Sequence, residues 1–73
     1  MIAHEETAKT LSEELLSLYK KLENTVEIVA RTESEEALQA YRVALTSVLS
    51  TMIFDVMEPL YKQHKHLAPP DWE

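Results

Sequence analysis

The segment from Tyr41 to Met57, YRVALTSVLSTMIFDVM, is the longest apolar run in the chain and constrains the fold more than any other feature. From Val43 to Phe54 it contains no charged residue. Strict alternation of apolar and polar residues fails, whereas a turn of about 100° per residue gathers one apolar stripe, which indicates a helix. The stripe consists of Leu38, Tyr41, Leu45, Val48, Leu49, Met52 and Val56.

The same helix is predicted to carry a second apolar face on its opposite side, formed by Val43, Phe54, Met57 and Tyr61. A helix that is apolar on more than one side is normally buried on more than one side. One neighbouring helix in a 73-residue chain cannot cover both faces, so the pattern predicts a partner chain. Small residues within the run permit another helix to approach closely, namely Ala40, Ala44, Ser47 and Thr51.

A membrane span is the alternative interpretation of this apolar run. Spanning a bilayer requires about 20 apolar residues, and here Arg42 and Asp55 bracket only a dozen uncharged ones. We therefore expect no membrane insertion.

A second stripe precedes the apolar run and predicts a helix from about residue 5 to residue 30. Its members are spaced alternately three and four apart, the heptad pattern of helices that pack in pairs. A capping-box pattern from Thr10 to Glu13 would allow a later start at Leu11; the earlier start is favoured because Ala8 already fits the stripe. The stripe consists of Ala8, Leu11, Leu15, Leu18, Leu22, Thr25 and Val29.

Residues 31–34 contain no apolar side chain and predict a tight turn. Ser34 is the expected N-cap of a second helix, from about residue 35 to residue 58. Such a short connection makes the two helices antiparallel neighbours. Pro59 predicts a kink or an end, because a proline ring clashes with the carbonyl group four residues earlier.

Residues 59–66 are expected to form one short further helix, which completes a single domain over residues 1–68. Residues 69–73 are expected to form an extended tail, because consecutive prolines cannot continue a helix. Trp72 in this tail has two possible uses: docking back on the body, or anchoring in a partner's pocket as an interface residue.

Composition excludes several classes of site. The chain has no Gly, so it has neither a P-loop nor a dinucleotide fingerprint, and no Cys, so it has no thiolate metal site. His64 and His66 would lie about 200° apart on a helix and could not share an ion. In an extended segment both could face one side, but no further ligand stands at a defined spacing from them. The net charge of −6 argues against a nucleic-acid partner. No catalytic, cofactor or metal site is expected, and the polar N-terminal segment, which lacks a secretory signal, predicts a cytoplasmic protein.

The sequence therefore predicts an all-α antiparallel helical hairpin that forms a homodimeric four-helix bundle. The residues expected in the dimer core are Leu15, Leu18, Leu22, Leu38, Tyr41, Leu45, Val48, Met52 and Val56. The residues expected to bind a partner protein are Val43, Phe54, Met57, Tyr61 and Trp72.

The expected function is a regulatory or adaptor interaction module without catalysis, whose partner is itself and possibly another protein. Two alternatives stay open. One is a ligand-binding or enzymatic bundle, whose pocket would take its polar groups from Tyr41, Thr46, Tyr61 and His64. The other is a small subunit of a larger assembly.

Overall fold

A computed structural model of the chain describes residues 2–72 and confirms an all-helical hairpin. Helix α1 spans Glu5–Thr32, two residues longer than predicted, so Glu33 and Ser34 alone form the turn. Helix α2 spans Glu35–Thr51, a π-helical turn spans Met52–Met57, and helix α3 spans Glu58–Gln63. These last three segments follow one another without a break, and together they are named helix 2.

The start of helix 2 is fixed by its N-cap, as predicted. The Ser34 hydroxyl accepts a hydrogen bond from the backbone N–H of Ala37, 3.2 Å away, which satisfies one of the free donors of the first turn. Glu35 and Glu36 follow in that turn, where the helix dipole favours negative charge. This arrangement turns the chain back in two residues and sets the antiparallel pairing.

Helix 2 neither ends nor breaks at Pro59; it widens just before it. In the π-helical turn, the backbone N–H of Glu58 bonds to the carbonyl oxygen of Ile53, five residues earlier instead of four. Pro59 stands in the first turn of α3, where its missing N–H costs least. In a regular helix, the ring of Pro59 would clash with the carbonyl group of Asp55, four residues earlier.

The π-helical turn also changes the direction in which the later side chains of helix 2 point. Leu45 and the next buried residue, Met57, are twelve positions apart, one more than the eleven that complete about three helical turns. A π-helical turn absorbs one extra residue, which rotates the following segment by about 100° relative to a regular helix. Met57 and Leu60 therefore face α1, on the same side as Leu38 and Leu45.

The core is concentrated at the open end of the hairpin, far from the turn. Its central cluster is Ala8 from α1 with Met57, Leu60 and Tyr61 from helix 2, all at most 3% exposed. Partly buried side chains pack around it: Ile2, Leu11, Leu15, Met52, Ile53, Leu67, Ala68 and Trp72. Nearer the turn, only Leu38 and Leu45 are buried, so most of α2 is covered on one side alone.

Candidate interaction surface

The partner-binding face predicted from the sequence is divided by the structure. Val43 and Phe54 are exposed, at 72% and 62%, but Met57 and Tyr61 are buried in the core at 1% and 3%. The prediction was wrong for Met57 and Tyr61, because it continued a regular helix through a segment that is π-helical. In the hairpin described here, these two side chains hold helix 2 against α1 and are closed to a partner.

A different surface on helix 2 is uncovered, and we name it the outer face. It lies on the side of helix 2 turned away from α1 and runs for about 20 Å; no charged side chain stands within it, and the exposed carboxylate of Asp55 borders its C-terminal end. The exposed side chains that form it are Ala40, Val43, Ala44, Ser47, Val48, Thr51 and Phe54. Such a row is unusual for a solvated helix surface, where charged residues normally dominate.

The residues predicted for the dimer core fall into three groups in the single chain. Leu38 and Leu45 are buried within the hairpin itself. The half-buried ones, which line the contact between the two helices, are Leu15, Leu22, Tyr41, Met52 and Val56. Leu18 and Val48 are 48% and 54% exposed, so the hairpin alone does not bury them.

Two tyrosine hydroxyl groups tie the hairpin together, one near each end. The Tyr61 hydroxyl and the Ser12 hydroxyl are 2.6 Å apart and both are buried. The Tyr41 hydroxyl bonds to the Thr25 hydroxyl across the same pair of helices. Buried hydroxyl groups need such partners, since an unpaired one costs about 1–3 kcal/mol, and these two bonds fix the register of helix 2 on α1.

The polar groups suggested for a ligand pocket are occupied elsewhere. Tyr41 and Tyr61 bond across the hairpin, and the Thr46 hydroxyl donates to the carbonyl oxygen of Arg42, 2.8 Å away. His64 Nε2 donates to the carbonyl oxygen of Ile2, 2.7 Å away. These four side chains therefore face different neighbours and do not converge on one cavity.

The C-terminal tail turns back on the body instead of extending away from it. The backbone N–H of Trp72 bonds to the carbonyl oxygen of Pro69, 3.0 Å away, which closes a turn. The Trp72 ring meets the Tyr61 ring edge-on, with centroids 4.9 Å apart, a favourable aromatic geometry. Of the two uses considered for Trp72, the structure shows docking on the body. Glu73, the last residue of the predicted tail, lies outside the described residues.

A cluster of polar contacts joins the N-terminal segment to the residues at the C-terminal end of helix 2. Nothing in the sequence pattern indicated this cluster. The Glu5 carboxylate accepts a hydrogen bond from His66 Nε2 and lies 3.6 Å from His64 Nδ1. The backbone N–H of Ile2 donates to Gln63 Oε1, 3.2 Å away. We call this cluster the clasp. Within residues 2–72, no group of three or more His, Asp or Glu side chains is arranged to hold a metal ion.

The contacts in the clasp lower the pKa of Glu5. The hydrogen bond from His66, with the charges of His66 and His64, lowers the pKa of Glu5 below its ordinary value of 4.5. A carboxyl group whose pKa is lowered by folding stabilises the fold above its unfolded pKa and loses that contribution as the pH falls through the folded pKa. The contacts of the Glu5 carboxylate with His66 and His64 should therefore contribute at neutral pH and be lost in acid, below pH 4.5.

An NMR titration of the Glu5 side-chain carboxyl carbon would measure this shift. We expect a midpoint below 4.5 in the unmodified chain and a return towards 4.5 in the His66→Ala variant. His4→Ala, which removes a neighbouring histidine outside the clasp, is the matched control and should leave the midpoint in place. A midpoint unmoved by His66→Ala would show that the hydrogen bond does not form in solution.

Helix 2, Glu35–Gln63, is long and apolar enough to cross a membrane when judged by length and composition alone. Core helices of soluble proteins satisfy the same criterion, so it does not by itself indicate a membrane protein. Only 22% of its most apolar stretch is buried within the chain.

Comparison of the chain with protein-family models, with curated proteins and with solved structures gives no match. Its function is inferred below from the fold and from the exposed surfaces.

Proposed function

We propose that the chain is an interaction module without catalysis of its own, which works as a homodimer held by the outer face of helix 2. The observation that carries this proposal is the uncharged outer face itself, on which Val43, Val48 and Phe54 are each more than half exposed. Burial of apolar surface is the main driving force of association. A second hairpin laid on this face would pair the two copies of helix 2 in a four-helix assembly, with the two α1 helices outermost.

The exposed area of the single chain matches what a dimer interface would remove. A compact monomer of 8.4 kDa exposes about 4,600 Å², whereas this hairpin exposes 5452 Å². The excess is about 800 Å², which is close to the roughly 800 Å² that each partner buries in a stable protein interface. The excess arises because the hairpin is an elongated rod of 45 × 19 × 17 Å.

A second protein chain suits this face better than a lipid bilayer does. Helix α1 packs along helix 2, and its far side carries charged residues throughout its length, such as Lys9, Glu13 and Glu27. A hairpin inserted across a membrane would take those charges into the hydrocarbon, at a cost of about 3 kcal/mol or more for each charge at the centre. In a dimer, the same charges stay in water.

The dimer would be strongly acidic. Each chain carries a net charge of −6, so two chains carry −12. Such a charge keeps a protein soluble and favours basic segments as further partners. This surface supports a regulatory or adaptor role, in which the dimer presents the same acidic surface twice.

Substitution of the outer face tests the proposal. Val43→Glu would place a carboxylate within the interface on both copies, so we expect the solution mass to fall from two chains to one. Light scattering behind a sizing column, over a wide concentration range, would measure it. Ile28→Glu is the matched control, because Ile28 is 60% exposed on α1 away from the outer face; this variant should remain dimeric.

Circular dichroism would establish that both variants keep their helices. An unmodified chain that is monomeric at all concentrations, or a Val43→Glu variant that stays dimeric, would contradict the proposal. Binding of the unmodified chain to neutral lipid vesicles, lost in Val43→Glu, would instead assign the outer face to a membrane.

A further inference from the structure

The outer face has two unlike halves. Towards the N-terminal end of helix 2, its residues are mostly small, and Ala40, Val43, Ala44 and Ser47 stand at positions i, i+3, i+4 and i+7. Four residues at these positions on one helix form the hole that receives a side chain from a facing helix. Towards the C-terminal end stands one large side chain, Phe54, which is 62% exposed. The face therefore carries both a hole and a side chain of a size to fill one.

The occupant of the hole depends on how two copies are oriented. In a parallel pair, each Phe54 would meet the other Phe54, and the small residues of both copies would face each other and leave a gap. In an antiparallel pair, the Phe54 of each copy lies over the hole of the other. Gaps of this kind forfeit dispersion contacts and are costly, so the antiparallel pair buries more surface with better packing.

We infer that two copies pack helix 2 against helix 2 in antiparallel orientation, with each Phe54 in the hole formed by Ala40, Val43, Ala44 and Ser47 of the other copy. This inference rests on the proposed function, since it requires the homodimer. The two-fold axis passes near Val48, midway between Phe54 and the centre of the hole. The arrangement is closed: each copy uses the same surface, so the assembly stops at two chains.

The area argument supports this occupant. The excess exposed area of one hairpin, about 800 Å², equals one side of a standard interface. The charge pattern agrees, because the face itself is uncharged and the Asp55 at its border lies beside Val43 of the other copy, away from the other Asp55.

Single cysteines would test the orientation, because the chain contains none of its own. In the antiparallel pair, Val43 of one copy lies beside Asp55 of the other, while the two Val43 residues are separated by roughly 17 Å along the axis. A disulfide requires Cα atoms within about 7 Å. A mixture of Val43→Cys and Asp55→Cys proteins should therefore form covalent dimers containing one copy of each under mild oxidation, and neither variant alone should do so.

Intact-mass measurement of the oxidised samples would identify the linked species, with Ile28→Cys as the control for chance collision. Self-linked Val43→Cys in a chain of dimeric mass would overturn the antiparallel inference and leave the homodimer standing. A dimeric mass with no linked species in any sample would overturn it as well. A monomeric mass would instead contradict the proposed function, and the inference with it.

An exchange of the two side chains offers a second test. Phe54→Ala empties the hole, and Ala44→Phe fills it, so each should raise the dimer dissociation constant at least tenfold. The double variant carries the large side chain at position 44 and the small one at position 54. In the antiparallel pair, each large side chain then again lies opposite a small one of the other copy. We expect its dissociation constant to recover towards that of the unmodified chain; no recovery would count against the hole.

Discussion

Leu60→Ala should lower the free energy of unfolding by about 2–5 kcal/mol, the range for a leucine removed from a closed core. Leu60 is 0% exposed and stands at the centre of the cluster with Ala8, Met57 and Tyr61. A chain of this length is stabilised by about 4–11 kcal/mol in total. The substitution therefore removes much of that stability and should lower the melting temperature by on the order of 10–30 °C.

Urea denaturation followed by circular dichroism would measure the loss, at one fixed protein concentration because dimerisation stabilises the fold by mass action. Leu18→Ala is the matched control, since it removes the same atoms from a side chain that is 48% exposed. A Leu18→Ala loss as large as that of Leu60→Ala at concentrations that favour the dimer would show that two copies associate through α1 and not through the outer face.

The π-helical turn predicts a second large effect, from deletion of one residue. Without Asp55, Leu45 and Met57 would be eleven positions apart, and a regular helix would keep both on the core side. Pro59 would then stand inside that regular helix and cost about 3 kcal/mol. If the π-helical turn persisted instead, the core residues after it would turn away from α1. Either way, deletion of Asp55 alone should destabilise the chain by about 3 kcal/mol or more.

Adding Pro59→Ala to the deletion should recover most of that loss, because the helix can then be regular throughout. Pro59→Ala alone should have a small effect, since the twelve-residue spacing still requires the wider turn. Thermal unfolding of the three variants would measure these differences. If the deletion variant were equally stable with and without Pro59→Ala, the loss of stability would not arise from placing Pro59 inside a regular helix.

The hairpin was predictable because its two stripes, its turn and its cap are local features. Ser34 caps helix 2 through a side chain that can reach only its own first turn, and such signals depend little on the rest of the fold. The heptad spacing of α1 and the uncharged run of α2 required long helices, which the structure contains.

The face of Met57 and Tyr61 was not predictable from periodicity, because a single extra residue in helix 2 rotates every later position. The extra residue is visible in the spacing from Leu45 to Met57, Leu60 and Tyr61. This spacing is informative only when these residues are already known to belong to the core. The clasp was missed for a different reason: Glu5 and His66 are 61 positions apart and meet only because the hairpin closes.

The clasp has a consequence for anything attached to the chain. Ile2 bonds to Gln63 and His64, so the N-terminal end of the chain lies at one pole of the rod, opposite the turn. In the proposed antiparallel pair, the poles of the two hairpins, each 45 Å long, point in opposite directions. Proteins fused to the N-terminal end of each chain would thus be held at opposite ends of the dimer, which would keep the two fused proteins apart.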